Sequence, residues 1–394
     1  MARGTDDIDK LKRSAEGGDP SSQYELGERY SRGDGVDADE TEAVRWLSRA
    51  ARQGHFGARM VLEQMMSLGA RPVVEEPAPQ PKAKGKKPSA KPASLVLPPP
   101  EPDPDPLHLG VDEPADVPAL TQAAETGDAA AQVALGNAYR QGDGVPCDPA
   151  EAVRWYLRAA EAGDARGQFA LGIMHERGLG TRQSDREALA WYHKAARQGD
   201  APAQFNLGNM IRLGRGIDSD PAVAAQWFRK AADQDDASAL LALGTLYETG
   251  TGVDKDEVQA VEFYRRAAER GEPQAQFNLS NMLRQGRGTD PDPTEAAALC
   301  HRAAEQGLPA AELNWALMLA GGLGVAKDPV RAVQWLTRAA EHGLAEAAYQ
   351  LAVMLELGQG VVRDPARAVD WLKRAAEAGH EQARKALAAL QGAP

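Results

Sequence analysis

The side chains that could do chemistry are few, and their spacing argues against catalysis. A serine-acylating site of the penicillin-binding type needs S-x-x-K on one helix face, and no serine has lysine at that distance. A zincin needs H-E-x-x-H to place two imidazoles together. His175-Glu176 opens such a run, but Leu179 occupies the second histidine position. The other histidines, His55, His108, His193, His301, His342 and His380, are scattered without ligand spacing. No G-x-x-x-x-G-K-[ST] phosphate loop occurs, and the many Gly-x-Gly pairs lack the third glycine and the preceding strand of a dinucleotide loop. Acidic stretches at 34–40 and 290–295 lack EF-hand spacing, so helix capping accounts for them. Cys147 and Cys300 exclude a disulfide framework and are read as free thiols. No metal or cofactor is implied.

Two polar rows have the regularity of a binding surface instead. Asn137, Asn209 and Asn281 recur every second repeat of a pattern set out below, with Asn206 and Asn278 one turn earlier. Three residues beyond the first row the charge alternates: Arg140, Glu176, Arg212, Glu248, Arg284, then Ala320 and Glu356. Segments 203–218 and 275–290 are near copies, which points to duplication of a two-repeat block. Two readings stay open. Opposite charges on adjacent helices could pair as a ladder, each exposed pair contributing at most roughly 1 kcal/mol. Alternatively the asparagines hydrogen-bond an extended peptide while Arg140, Arg212 and Arg284 hold its carboxylates.

The elements that position these rows follow from one periodicity. Trp155, Trp191, Trp227, Phe263, Leu299, Trp335 and Trp371 lie 36 residues apart, each followed by an Ala-Ala pair such as Ala159-Ala160. Leu135, Leu171, Leu207, Leu243, Leu279, Trp315, Leu351 and Leu387 keep the same step, as do Gly-x-Gly loops from Gly142/Gly144 to Gly358/Gly360. The fold is therefore decided by repetition. Each unit reads as two helices. The first starts at an Asp such as Asp128, Asp164, Asp200 or Asp236 and ends at the Gly-x-Gly, where left-handed angles come without steric cost. The second is capped by Asp148, Ser184, Asp220, Asp256, Asp292, Asp328 or Asp364, with proline following in five cases. A base stands three residues beyond each Trp position (Arg158, Lys194, Lys230, Arg266, Arg302, Arg338, Arg374) and reads as a solvated stripe that complements the helix C-terminus. One hairpin cannot bury its apolar face alone, so hairpins must stack into a solenoid.

An earlier copy runs through Leu26-Gly27, Gly33/Gly35, Asp39, Trp46 and Ala50-Ala51. Trp46 precedes Trp155 by 109 residues, three repeats plus one. A first helix at His55–Leu68 and a second at Asp112–Gly127 then form one repeat interrupted by residues 70–106, rich in Pro. That stretch carries Lys82, Lys84, Lys86, Lys87 and Lys91, then Glu101, Asp103 and Asp105. Such composition builds no core. The expected organisation is N-terminal repeat helices at 1–69, an insert or linker at 70–111, and the main solenoid with a C-terminal capping helix at 112–394. Continuous stacking of about nine repeats is favoured over a tethered first block, which would be marginal alone.

The pattern resembles the Sel-one-like repeat (SLR) family. The clearest copy is Ala131, Leu135-Gly136, Tyr139, Gly142, Gly144-Val145, Asp148, Ala152, Trp155, Ala159-Ala160 and Gly163. Departures are Asp235 for the closing glycine, Ser280 and Ala316 for the Leu-Gly glycine, and Trp315 for the leucine. The resemblance implies an all-α, right-handed superhelix of tetratricopeptide type, first helices lining its concave face, and a scaffold or adaptor that binds other proteins or extended peptides. Cysteine-rich members have been linked to β-lactams, but the paired cysteines are missing here, so an enzyme of that kind and a secreted effector stand only as alternatives.

Composition agrees. Aromatic residues make up 5% and hydrophobic residues 43%, which suits helices packed through small side chains. A net charge of −12 argues against nucleic acid, whose phosphates need clustered bases. With no signal segment or apolar run of membrane-spanning length, a cytoplasmic location is expected. The sequence leaves oligomeric state open.

Overall fold

A computed structural model describes residues 3–53, positions 55, 58, 61, 62 and 65, and residues 117–391. The insert at 70–111 and most of the interrupted repeat lie outside them. The described residues form helices and turns, with no strand among them. Contacts divide the chain into one unit of residues 1–122 and 134–148 and a second of residues 123–133 and 149–394.

In the first unit, α1 (Arg3–Glu16) packs on α2 (Pro20–Arg32), which pairs with α3 (Glu40–Arg52). Ala15, Leu26 and Trp46 meet in one apolar cluster; Tyr24, Leu47, Ala50, Ala58 and Val61 form another.

Beyond α4 (Val117–Glu125) and α5 (Ala129–Gln141), the chain alternates second and first helices. The second helices are α6 (Pro149–Glu161), α8 (Asp185–Arg197), α10 (Pro221–Ala232), α12 (Glu257–Glu269), α14 (Pro293–Glu305), α16 (Pro329–Glu341) and α18 (Pro365–Glu377). The first helices are α7 (Ala165–Arg177), α9 (Ala201–Leu213), α11 (Ala237–Thr249), α13 (Pro273–Gln285), α15 (Pro309–Gly321), α17 (Ala345–Leu357) and α19 (Glu381–Gln391). Each helix packs on the next, giving the tetratricopeptide-like array that the spacing predicts.

The capping chemistry is as the sequence implies. Ser184, Asp220, Asp256, Asp292, Asp328 and Asp364 accept from backbone amides of the second helices, as Asp164, Asp200 and Asp236 do for the first. The first glycine of each loop, such as Gly214 (φ 71°), ends its helix in the left-handed region.

The second glycine has a further task. In Gly180, Gly216, Gly252, Gly288, Gly324 and Gly360, an added Cβ would run into the backbone of the first residue of the preceding second helix: Pro149, Asp185, Pro221, Glu257, Pro293 and Pro329. The loop of one hairpin thus lies directly on the helix start of the hairpin before it.

Inside each hairpin the Leu-Gly glycine makes room for one large side chain. A Cβ on Gly172, Gly208 or Gly244 would strike Tyr192, Phe228 or Tyr264. The departures are matched exchanges of size. Ser280 lies by Cys300 and donates to the Ala296 carbonyl at 2.7 Å, and at the equivalent sequence positions of the next two hairpins Ala316 goes with Leu336 and Ala352 with Leu372. Burial pushes the Cys300 thiol up to about 12, so it packs as a small apolar group.

Between hairpins runs a buried amide seam that the sequence reading missed. Gln168 donates to the carbonyl of Ala160 (3.2 Å) and accepts from Gln198 (2.8 Å). Gln204 repeats this with Ala196 and Gln234, and Gln276 with Ala268 and Gln306. Each glutamine gives a helix-end carbonyl, which already accepts from the closing glycine's amide, a second donor. Where Leu240 replaces the glutamine, Arg266 donates to the Ala232 carbonyl at 2.8 Å instead. Arg266 and Arg270 also hold Asp235, which sits at φ 62° in the closing-glycine position. Two hairpins later the fully buried Glu312 meets Arg338 at 2.6 Å and His342 at 2.9 Å.

The basic row is largely exposed, as the solvated reading expects, and it also has a contact with the rings. The cations lie over the tryptophan rings of their own helices: Arg158 on Trp155, Lys194 on Trp191, Lys230 on Trp227, Arg338 on Trp335 and Arg374 on Trp371, at 3.7–5.2 Å from the ring centroids. They cover the outer faces of rings whose inner faces pack, a favourable cation–π geometry.

Two measurements test this account. Gly324→Ala should lower stability by about 3 kcal/mol in urea unfolding, from left-handed strain plus collision with Pro293. Gly343→Ala, where the backbone is also left-handed but nothing lies within contact, should cost only about 1 kcal/mol. His193 is buried edge-on to Trp227, and burial, with Arg197 and Lys230 nearby, lowers its pKa from 6.5 to about 3. Below pH 6.5 the unfolded chain binds a proton there that the folded chain refuses, so stability falls as pH drops towards 3, by up to about 1.4 kcal/mol per unit. Between pH 7 and 4.5, His193→Gln should lose about 2 kcal/mol less than the parent chain.

Candidate partner-binding face

Each first helix is buried along two of its sides. In α9, Ala203, Gln204, Leu207, Gly208, Met210 and Ile211 are taken up by packing and the amide seam. That leaves Phe205, Asn206, Asn209 and Arg212 half-buried on a single stripe. The same positions recur on α11 as Leu241, Ala242, Thr245 and Glu248, and on α13 as Phe277, Asn278, Asn281 and Arg284. The stripe therefore carries an apolar row, an amide row and a charged row at helical spacing. Successive first helices are side by side along it, since Asn314 of α15 donates to Asn281 of α13 at 3.2 Å.

The charged row is not the ladder of neighbouring opposites that alternation suggests. Glu176 accepts from the Tyr192 hydroxyl at 2.6 Å and from Arg215, in the loop of the next hairpin, at 2.5 Å. Arg215 also binds Asp185 at 2.5 Å. Two hairpins on, Glu248 accepts from Tyr264 at 2.7 Å and from Arg287 at 2.9 Å, and Arg287 binds Glu257 at 2.9 Å. In both cases the loop arginine bonds two acids of the preceding hairpin at once. These bonds hold Arg215 and Arg287 above the ordinary guanidinium range. Burial beside Glu176 and Glu248 raises the Tyr192 and Tyr264 hydroxyls well above 10, so both stay neutral donors.

Arg212 instead donates to Asn209 at 2.8 Å, within its own helix. Asn278 accepts from Gln274 at 2.9 Å, Asn206 lies half-buried on the stripe, and Arg284 is exposed. Asn137 is buried on α5, and Arg140 is half-buried on the same helix. Arg215, Arg287, Tyr192, Tyr264 and the seam glutamines do not figure among the functional residues expected from the sequence. Their signal was present: both near-copy segments hold the same Gly-Arg-Gly loop, and Gln168, Gln204 and Gln276 obey the 36-residue step.

The Sel1 repeat family profile matches residues 20–55 and then seven contiguous segments, 129–164, 165–200, 201–236, 237–272, 273–308, 309–344 and 345–380. The chain belongs to the Sel1 repeat family. Among solved structures, the Sel1 chain is similar to a protective antigen of uropathogenic Escherichia coli that displays an SLR fold. The two are 30% identical with a TM-score of 0.52, and the match covers 94% of this chain and 79% of that one. A Sel1 repeat protein from Oxalobacter formigenes is 34% identical with a TM-score of 0.52, covering 57% of this chain and 90% of that one. No curated protein matches. Among the described residues no group of His, Cys, Asp or Glu is arranged to hold a metal, and no helix is long and apolar enough to cross a membrane.

The Glu248–Arg287 bond can be measured by a double-mutant cycle with Glu248→Gln and Arg287→Gln. A coupling of about 1 kcal/mol is expected for so solvent-accessible a pair, shrinking in 1 M salt. The cycle built on Glu248 and Arg284 should show no coupling.

Proposed function

We propose that this Sel1 repeat chain is a non-catalytic scaffold that holds partner proteins along the stripe of its first helices. The observation that supports the reading most directly is a polar stripe whose half-exposed side chains bond within and between the first helices themselves. The seam glutamines, cap residues, Glu176 and Glu248 all have bonds that the array itself requires. Asn206, Asn209, Arg212, Asn278, Asn281 and Arg284 share one accessible stripe beside a half-buried apolar row, and α5 carries Asn137 and Arg140 at the equivalent positions. Amide and guanidinium groups beside apolar ground suit an extended chain, whose backbone needs donors and acceptors and whose side chains need shallow apolar contact.

The family supports the same direction, since repeat arrays of this kind present long surfaces for protein contact. A cytoplasmic site of action is part of the proposal. The insert at 70–111 is proposed as a connecting arm between the N-terminal helices and the main array.

Affinity capture with the intact chain tests the reading. Substituting both Asn209→Ala and Arg212→Ala should abolish capture of the specific partners while moving the melting temperature by no more than about 2 °C, as for surface changes generally. Loss of stability with capture intact would show these side chains to be structural.

A further inference from the structure

We propose that Arg212 and Arg284 are receptors for two carboxylate side chains, six residues apart, on one extended partner peptide; this rests on the partner-binding reading above and specifies its chemistry. The starting observation is an anomaly of charge. Arg212 is half-buried, yet its guanidinium meets only the amide oxygen of Asn209 and, among the described residues, no carboxylate. A charge withdrawn from water is normally paired with its opposite. Burial holds the Arg212 pKa below its ordinary value, so the site carries the cost of desolvation without the compensating acid.

The acids that could supply compensation are held elsewhere. Glu176 and Glu248 flank Arg212 in the charged row, and each is bound by a loop arginine and a buried tyrosine hydroxyl. The stripe therefore presents guanidinium groups whose neighbouring carboxylates are already bonded to other donors, Arg215 being shared between Glu176 and Asp185. Two hairpins on, Arg284 stands at the equivalent position, exposed and likewise without a carboxylate among the described residues. Asn209 orients one edge of the Arg212 fork and leaves the other for a bidentate acid. Leu241, Thr245 and Phe277, half-buried between the two arginines, are ground for the intervening side chains.

Geometry sets the spacing. Successive first helices touch through side chains, Asn314 on Asn281, at the upper end of helix packing distances, roughly 10 Å, so two steps along the stripe span about 18–20 Å. An extended chain advances about 3.3 Å per residue, which makes this five or six residues. Side chains alternate sides along such a chain, so both carboxylates face the stripe only for an even number. Six satisfies both conditions.

The experiment uses the full chain and fluorescence anisotropy with labelled ten-residue peptide pools, blocked at both ends. One pool has Asp at positions 2 and 8 with neutral residues elsewhere. The others have Asn at both positions, Asp at 2 and 7, or Asn at both with a free C-terminal carboxylate. The 2/8 pool should bind at least tenfold more tightly than the Asn and 2/7 pools, and added salt should weaken it. Arg212→Gln and Arg284→Gln should each remove about tenfold. Should either melt early, the corresponding Arg→Lys variant, which keeps charge but loses the fork, should retain part of the preference. Equal binding of Asp and Asn pools, or indifference to both substitutions, overturns the proposal. Best binding by the free-carboxylate pool assigns the arginines to a chain terminus and overturns the spacing. Failure of every pool, while the Asn209/Arg212 double variant still loses capture, sinks this inference and leaves the scaffold reading standing. If capture also survives, both fall.

Discussion

A stacked array of hairpins is held together only if each hairpin approaches the last at one fixed distance, and in this chain that distance is set by backbone touching backbone. The second glycine of every described loop in the main unit lies against the first residue of the preceding second helix, leaving no room for a Cβ. Everything lateral follows from this contact. It brings the loop arginines within reach of the earlier hairpin's acids and places the seam glutamines beside the helix-end carbonyls. The apolar core supplies most of the driving force. The glycine contact decides which residues that force brings together.

The seam shows how a repeat tolerates exchange while its geometry is kept. Glutamine serves both directions at once because its amide donates and accepts. Where leucine interrupts the row, the donor comes from Arg266, and the acid at Asp235 keeps two arginines in place despite an unfavourable backbone angle. At Glu312 a carboxylate is buried completely because a guanidinium and an imidazole both reach it. Within hairpins the same tolerance takes the form of volume exchange, glycine with tyrosine, serine with cysteine, alanine with leucine.

The helix boundaries, caps and pairing were legible in the sequence because each depends on residues close in the chain, repeated at 36-residue steps. Trp, Ala-Ala and Gly-x-Gly are strong local signals, and Asp220 or Pro293 could only begin a helix. The candidate face was legible as a set of positions but not as a set of bonds. Arg212 and Glu248 look like partners because they are neighbours in a row; Arg287 is nearer in space, and only stacking reveals that. The seam was overlooked for a related reason: a buried glutamine resembles a surface glutamine until the carbonyl it serves is placed beside it. Reading the bases after each Trp as a solvated stripe held, but the ring contact beneath them, on the same helix at i−3, was not foreseen.

The Tyr–Glu–Arg–acid network has a period of 72 residues, twice that of the hairpin. Two kinds of hairpin therefore alternate through α7–α13, and the smallest interchangeable module there is a pair. Gene rearrangements that add or drop a single hairpin would bring like kinds together, stranding a carboxylate or setting arginines side by side. Growth and shortening of this part of the array are thus expected to proceed two hairpins at a time, and the near-identity of 203–218 with 275–290 is the trace such an event would leave.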